Sequence, residues 1–208
     1  GVLPRSKGQV HMMDLGASLA CPAPLLFQFG VMATIMVRYL DGIEAPSIGL
    51  LNVGIEDTKG GEIVKEASEL FRESSLNYQG FVEGDDIFTG DVDIIICDGF
   101  SGNVALKTSE GLAQMLTNLT KEAFGGSWLS KLSGILAKPA LASIFGKIDH
   151  RRYNGAALLG LRGTVIKSHG GADEVAFENA IDVAWRSINN DVVKHIDEEL
   201  KRAEKSAH

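Results

Sequence analysis

The sequence is poor in cysteine: Cys21 and Cys97 stand alone in 208 residues, with no paired Cys or Cys/His spacing. That excludes a disulfide scaffold and a zinc knuckle, and it fits a reducing cytosol. An excess of positive charge is also missing. Twenty basic residues face 27 acidic ones, for a net charge of -7, and an acidic chain is a poor general binder of the nucleic acid polyanion. No charged-then-apolar leader opens the sequence. The most apolar run, residues 24–37, carries Gln28 and is shorter than the roughly 20 residues a membrane span needs, so it reads as a buried core helix. No Walker loop and no Gly-x-Gly-x-x-Gly fingerprint occurs, which counts against a nucleotide-driven enzyme and a dinucleotide dehydrogenase. Internal repeats and low-complexity tracts are lacking too.

What is present is an ordinary globular composition, 45% hydrophobic, arranged in the rhythm of strand, glycine-rich turn and helix. Gln9 to Leu15 reads as a strand and Pro22 as the first turn of a helix running to Leu40. Ser47 to Val53 and Val92 to Cys97 are continuous apolar runs of the kind buried on both faces of a parallel sheet. Glu62 to Arg72 has helical spacing, Tyr78 to Val82 is a short strand, and a helix follows Asp98 to about Phe124. Gly155 to Val165 is again sheet-like, and the tail from Asp173 to about Lys205 reads as one long helix. The expected fold class is α/β, three layers α/β/α around a mainly parallel sheet.

Residues 125–152 differ. Trp128, Leu129, Leu132, Ile135 and Leu136 alternate with Lys131, Lys138, Lys147, Arg151 and Arg152, against the single acid Asp149. Gly134 and Pro139 are expected to break this stretch into short helices. It reads as a basic, amphipathic hairpin inserted in the domain, between a core part (1–124) and a return to the core (153–208). Trp128, Lys131, Leu132, Lys138 and Lys147 are its candidate partner or membrane surface; packing in a dimer interface is the plainer alternative.

In open α/β sheets ligands bind at the carboxyl ends of strands. Three segments put polar residues and glycines there: Asp14 to Ala17, Asn52 to Lys59, and Asp98 to Lys107. In the last, Gly99, Ser101 and Gly102 open a helix, where backbone N–H groups and the helix dipole favour an anion; a tight turn with no ligand fits the spacing equally well. Ser101 lacks the Gly-x-Ser-x-Gly frame of a hydrolase elbow. Lys107 sits one turn beyond Asn103, able to face the same ligand. Arg162, Lys167 and His169 lie among Gly160, Gly163, Gly170 and Gly171. They are a phosphate-binding candidate or, alternatively, charges around a turn. A lone histidine beside glycines is more often structural than catalytic, but an imidazole titrates near neutral pH, so His169 stands as a candidate acid or base. Glu56 and Asp57 are neighbouring carboxylates with no histidine cluster, so a metal site there is open but unsupported by the sequence.

The segments Asp14-Leu15-Gly16-Ala17, Leu50-Leu51-Asn52-Val53-Gly54 with Glu56 and Lys59-Gly60, Cys97 through Val104 with Lys107, and Tyr153-Asn154-Gly155-Ala156 through Arg162-Gly163 to Lys167-Ser168-His169-Gly170 together resemble the bacterial phosphate acyltransferase family of phospholipid synthesis. Their order and spacing match along nearly the whole chain. The resemblance implies a fold similar to phosphate acetyltransferases and to isocitrate and isopropylmalate dehydrogenases. It implies a cytoplasmic homodimer, peripheral on the inner membrane face, that needs no cofactor. The implied reaction converts acyl carrier protein thioester and inorganic phosphate to acyl phosphate, which feeds a glycerol-phosphate acyltransferase. Asn103, Lys167 and His169 become the catalytic candidates. Asp14, Gly16, Asn52, Glu56, Asp98, Gly99, Ser101, Gly102, Lys107 and Arg162 become the substrate and phosphate candidates. Two positions depart from the family pattern: Ser18 where Asn is usual and Ala20 where Asp is usual. The family also has a substantial further amino-terminal part, so the resemblance implies that this is the carboxyl-terminal portion of a longer catalytic unit. The rival readings are a phosphate acetyl- or butyryltransferase acting on coenzyme A thioesters, and a non-catalytic acyl-binding module at a membrane.

Overall fold

The computed structural model describes residues 1–147 and 149–206, without the side chains of Lys147, His150 and residues 203–206. Five strands form the main sheet: β1 (Val2–Pro4), β2 (Gln9–Met13), β3 (Ile48–Leu51), β4 (Tyr78–Val82) and β5 (Ile94–Ile96), in the order β1-β2-β5-β3-β4. β2, β5, β3 and β4 run parallel, and β1 closes one edge antiparallel to β2. The fold is the expected α/β arrangement of a mainly parallel sheet between helices.

The continuous apolar runs have the predicted cause. Ile94 and Ile96 point to one face and Ile95 and Cys97 to the other, and both faces are covered. On the first face pack α1 (Ala23–Asp41) and α2 (Glu62–Arg72), through Leu26, Phe29 and Phe71, and α7 (Val192–Ser206) packs on α1 and joins the same core through Val192 and Ile196. The apolar run of residues 24–37 lies within α1. By length and composition α1 is able to cross a membrane, but most of it is buried here as a core helix. On the second face lie α3 (Asp86–Thr89) and the start of α4 (Gly99–Gly125), through Ile87, Ala105 and Leu106.

Past its first two turns α4 leaves the sheet and pairs with α5 (Trp128–Lys147). The expected break at Gly134 and Pro139 does not occur: α5 is one helix of 20 residues with Pro139 inside it. Gly134 serves packing instead, since a Cβ there would stand 3.1 Å from Phe124 of α4. Beyond the hairpin, Arg151 pairs with Asp149 and Asp173, so this cation of the basic stretch ties the hairpin's exit to the N-cap of α6 (Glu174–Asn189).

The sheet-like stretch after residue 155 yields only β6 (Ala156–Ala157) and β7 (Ile166–Lys167), a separate two-stranded ribbon. The tail is likewise two helices, α6 and α7. The chain turns at Asn190 and Asp191, the latter at φ 48, and the turn brings Val192 and Ile196 down onto the core.

Candidate active site

The carboxyl ends of β2, β3 and β5 lie side by side, and the loops leaving them form one edge. Asp14, directly after β2, is buried, and its carboxylate accepts hydrogen bonds from the backbone N–H groups of Gly16, Ala17 and Ser18 at 2.9, 2.9 and 2.7 Å. These bonds satisfy the buried charge and fix the turn. Asp98, two residues past the end of β5, caps α4: it accepts from the Ser101 N–H at 2.9 Å and from the Ser101 hydroxyl at 2.6 Å. Both carboxylates are thus committed to backbone geometry.

The two turns are packed into each other. A Cβ on Gly99 would stand 2.6 Å from the Ser18 carbonyl oxygen, and one on Gly102 would stand 1.8 Å from that of Asp14. Gly16, at φ +123, lies under Asn103, whose Cβ would be 3.4 Å from a Cβ at residue 16. Glycine is needed at 99 and 102 because a side chain would meet backbone, and at 16 because its φ lies in the left-handed region.

The start of α4 therefore offers fewer donors than its sequence suggested. The Gly99 N–H is given to Ser18, that of Ser101 to the Asp98 side chain, and that of Gly102 to the Asp98 carbonyl. The side chain of Asn103 is exposed and makes no hydrogen bond among the described residues. Lys107 is also exposed and pairs with Glu110 at 2.7 Å.

On the β3 side, the Asn52 amide donates to the carbonyls of Gly54 and Lys59, at 3.1 and 3.3 Å, and closes the loop that carries Glu56. Glu56 is exposed, and its neighbour Asp57 pairs with Arg72. No group of three potential metal ligands occurs among the described residues.

Between the ends of β2, β3 and β5 and the starts of α1 and α2 opens a cavity of about 370 Å³. Leu19, Cys21, Leu50, Ile63 and Cys97 are among its walls. Both thiols are protonated. Burial, reinforced by the charges of Asp98 and Asp14, pushes Cys97 up to about 12, and burial raises Cys21 as well. Sequence reasoning does not gather these wall residues, because they come from four separate segments.

Arg162, Lys167 and His169 sit on the β6–β7 ribbon, which rests on the α1 and α6 side. Gly160 packs on the Met32 sulfur and Gly155 on Ala180. The base of the ribbon comes close to the β2 turn: Ala156, the register partner of Lys167, and Leu15 lie 3.9 and 2.6 Å from where a Cβ on Gly1 would stand. Arg162 and Lys167 are exposed. Among the described residues no hydrogen bond or ion pair joins Arg162, Lys167 or His169 to α4.

Asn154 organises this ribbon. Its side-chain oxygen accepts the His169 N–H at 2.9 Å, and its amide donates to the Ser168 hydroxyl and the Ala176 carbonyl at 2.8 and 2.7 Å. An Asn-Gly pair after a charged stretch was the only sequence signal for that role. The His169 ring accepts the Gly171 N–H through Nδ1 at 3.2 Å.

Far from this edge, α5 presents Trp128, Lys131, Leu132 and Lys138 to solvent. Trp128 is 73% and Leu136 76% exposed, so this apolar surface is not part of the core. Lys147 closes the helix, with its side chain outside the described residues.

Comparison with known proteins gives a family. A family model described as "Fatty acid synthesis protein" matches residues 1–195. Among curated relatives, the "Phosphate acyltransferase" of Paraburkholderia phymatum is 55% identical over 194 residues, which cover 93% of this chain and 52% of the relative. That of Paraburkholderia phytofirmans is 54% identical over 194 residues, covering 93% and 53%. That of Paraburkholderia xenovorans is 52% identical over 204 residues, covering 98% and 55%. The chain thus spans about half the length of the curated relatives it matches.

Proposed function

Because this chain belongs to the fatty acid synthesis protein family, we propose that it supplies part of the catalytic cleft of a phosphate acyltransferase. The reaction transfers a fatty acyl group from acyl carrier protein to inorganic phosphate. The observation that carries the reading is the interlocked pair of turns, residues 14–18 against 99–103, which sets the free Asn103 amide over Gly16, while Leu19 and Asp98, which flank the same two turns, line an apolar cavity.

In this mechanism a phosphate oxygen attacks the thioester carbonyl. Phosphate is already an anion, so no serine or cysteine nucleophile is required. That suits a site where Ser101 is tied to Asp98 and both nearby thiols are protonated. The enzyme's task is to position two partners and to stabilise the tetrahedral oxyanion. The Asn103 amide donates to that oxyanion. Lys167 and Arg162 hold phosphate, and His169 protonates the departing thiolate. Asp14, Asp98 and Asn52 act on substrate indirectly, by fixing the loops that touch it.

The α4–α5 hairpin is the surface for the carrier. α5 holds Lys131, Lys138 and Lys147 and no acid, and an acidic carrier protein is steered by such charge. Its exposed apolar face also suits peripheral contact with an anionic membrane at the cytoplasmic side, next to the enzyme that consumes acyl phosphate. The protein acts as a homodimer and uses no cofactor in this reading.

The test is acyl phosphate formation, trapped as hydroxamate, from acyl carrier protein thioester and phosphate. The full-length protein is assayed beside the 208-residue chain. Product from the full-length protein with carrier thioester, at a rate well above that with coenzyme A thioester, is the expected result. A preference for coenzyme A thioester would replace the carrier reading. No product from folded protein with either donor would leave only a non-catalytic role.

A further inference from the structure

The cavity at the sheet edge has a polarity that separates the two substrates. Leu19, Leu26, Leu50, Leu51, Ile63 and Val64 form half of its lining, and Cys21 and Cys97 add neutral thiols. Among the described residues its only charged lining groups are Glu62 and Asp98, and no lysine, arginine or histidine reaches it. An anion entering this space would leave water for a low-dielectric wall, meet two like charges and find no counter-charge. Each of those effects is unfavourable. An alkyl chain meets none of them and gains from leaving water.

The cavity also has a direction. Leu26 and Leu50, 2% and 0% exposed, form its inner end. Leu19 and Ile63, 74% and 50% exposed, stand at its mouth. A chain entering between Leu19 and Ile63 reaches steadily drier surface.

We infer that this cavity is the site of the acyl chain, methyl end inward against Leu26 and Leu50, and that phosphate binds outside it. The assignment deepens the acyl-transfer reading and rests on it for the identity of the ligand. It makes Ile63 and Leu19 specificity-determining residues, because they set the width of the entrance.

The direct test uses the full-length protein and unreactive S-alkyl pantetheine thioethers from butyl to dodecyl, titrated by calorimetry. Affinity is expected to rise about fourfold per methylene until the inner end is filled, and then to level off. A dodecyl analogue with a terminal diazirine is expected to crosslink to peptides spanning Leu26 or Leu50. Ile63→Trp and Leu19→Trp change exposed positions and so spare the fold; they are expected to shift the plateau to shorter chains.

Crosslinks confined to the α4–α5 hairpin, affinity independent of chain length, or loss of crosslinking in saturating inorganic phosphate would each overturn the assignment. Acyl phosphate formation is measured in parallel. Undiminished turnover of long-chain donors by both tryptophan variants rejects the cavity and leaves the transfer reading standing. Chain-length-dependent binding with crosslinks to Leu26 or Leu50, but no acyl phosphate from any donor, keeps the cavity and removes the transfer reading.

Discussion

Gly102 lies against Asp14 so closely that a Cβ on the glycine would stand 1.8 Å from the aspartate's carbonyl oxygen. The contact locks the first turn of α4 to the loop after β2, and with it the position of Asn103 over Gly16. Alanine at residue 102 would gain helix propensity worth up to about 1 kcal/mol. The clash is with backbone, however, and overpacking of this kind costs about 1–3 kcal/mol, so strain wins. Gly102→Ala is expected to lower the melting temperature and to reduce turnover. An unchanged melting curve would show that the two turns are not rigidly coupled.

Asn103 is exposed and unbonded among the described residues, so its removal tests chemistry with little effect on folding. Asn103→Ala is expected to lower kcat about 100-fold or more, the scale of losing one oxyanion donor, with melting unaltered. Lys167→Ala is expected to raise KM for phosphate. Wild-type turnover by both variants would sink the assignment of this edge as the active site.

At the opposite end of the sheet, His11 Nε2 lies 2.5 Å from Asp41 Oδ2, with Gln9 at 3.3 Å from the same oxygen and Arg186 at 3.7 Å from Oδ1. Burial acts to raise the Asp41 carboxyl, and these partners outweigh it and hold the group below its ordinary value. A depressed folded-state pKa means stability that is complete above the unfolded value, about 4, and lost as pH falls through the folded one. Asp41→Asn is expected to cost about 1–3 kcal/mol at pH 7 and less near pH 3. Denaturant melts at the two pH values measure the difference; an equal cost at both would remove the charge from the explanation.

With its thiol pushed up to about 12, Cys97 holds on the order of one thiolate in 100,000 at pH 7. Iodoacetamide is expected to leave native Cys97 unmodified and to alkylate it once the protein is unfolded. Mass spectrometry of enzyme mixed with donor is expected to show no acyl-cysteine. An acylated Cys97 peptide would overturn direct attack by phosphate.

On the hairpin, Trp128 and Leu132 are 73% and 50% exposed, so charge at either position leaves the core intact. Trp128→Glu combined with Leu132→Glu is expected to weaken flotation with anionic vesicles at least tenfold, roughly the loss of two apolar anchors. Flotation that is undiminished would reject the membrane contact.

How much of this was legible in sequence depends on the range of the interaction. Ile94 to Cys97 read as a doubly buried strand because the reason for the pattern, cover on both faces, acts on every residue of the run. Asp98 was legible as the start of α4 because an N-cap bonds only three residues ahead. The single long tail helix was a misreading, since apolar spacing continues across residues 190–191. Only the need to bring Val192 and Ile196 onto the core beside α1 makes the chain turn there. The break expected at Gly134 and Pro139 failed for a related reason: Gly134 answers to Phe124 on the neighbouring helix, not to its own propensity.

The sequence by itself determined the class of fold, the parallel order of strand and helix, the family, and which short segments face the sheet's carboxyl edge, because each is written in local spacing or in motifs read in order. Tertiary structure alone decided what those segments do to one another. It turned Asp14 and Asp98 inward as loop anchors, took up the N–H groups that had looked free for an anion, and assembled an apolar cavity from four distant stretches. It also left Lys167 and His169 on a ribbon apart from α4. Contacts of that kind depend on the distance between residues far apart in the chain, and no pattern along the chain encodes that distance.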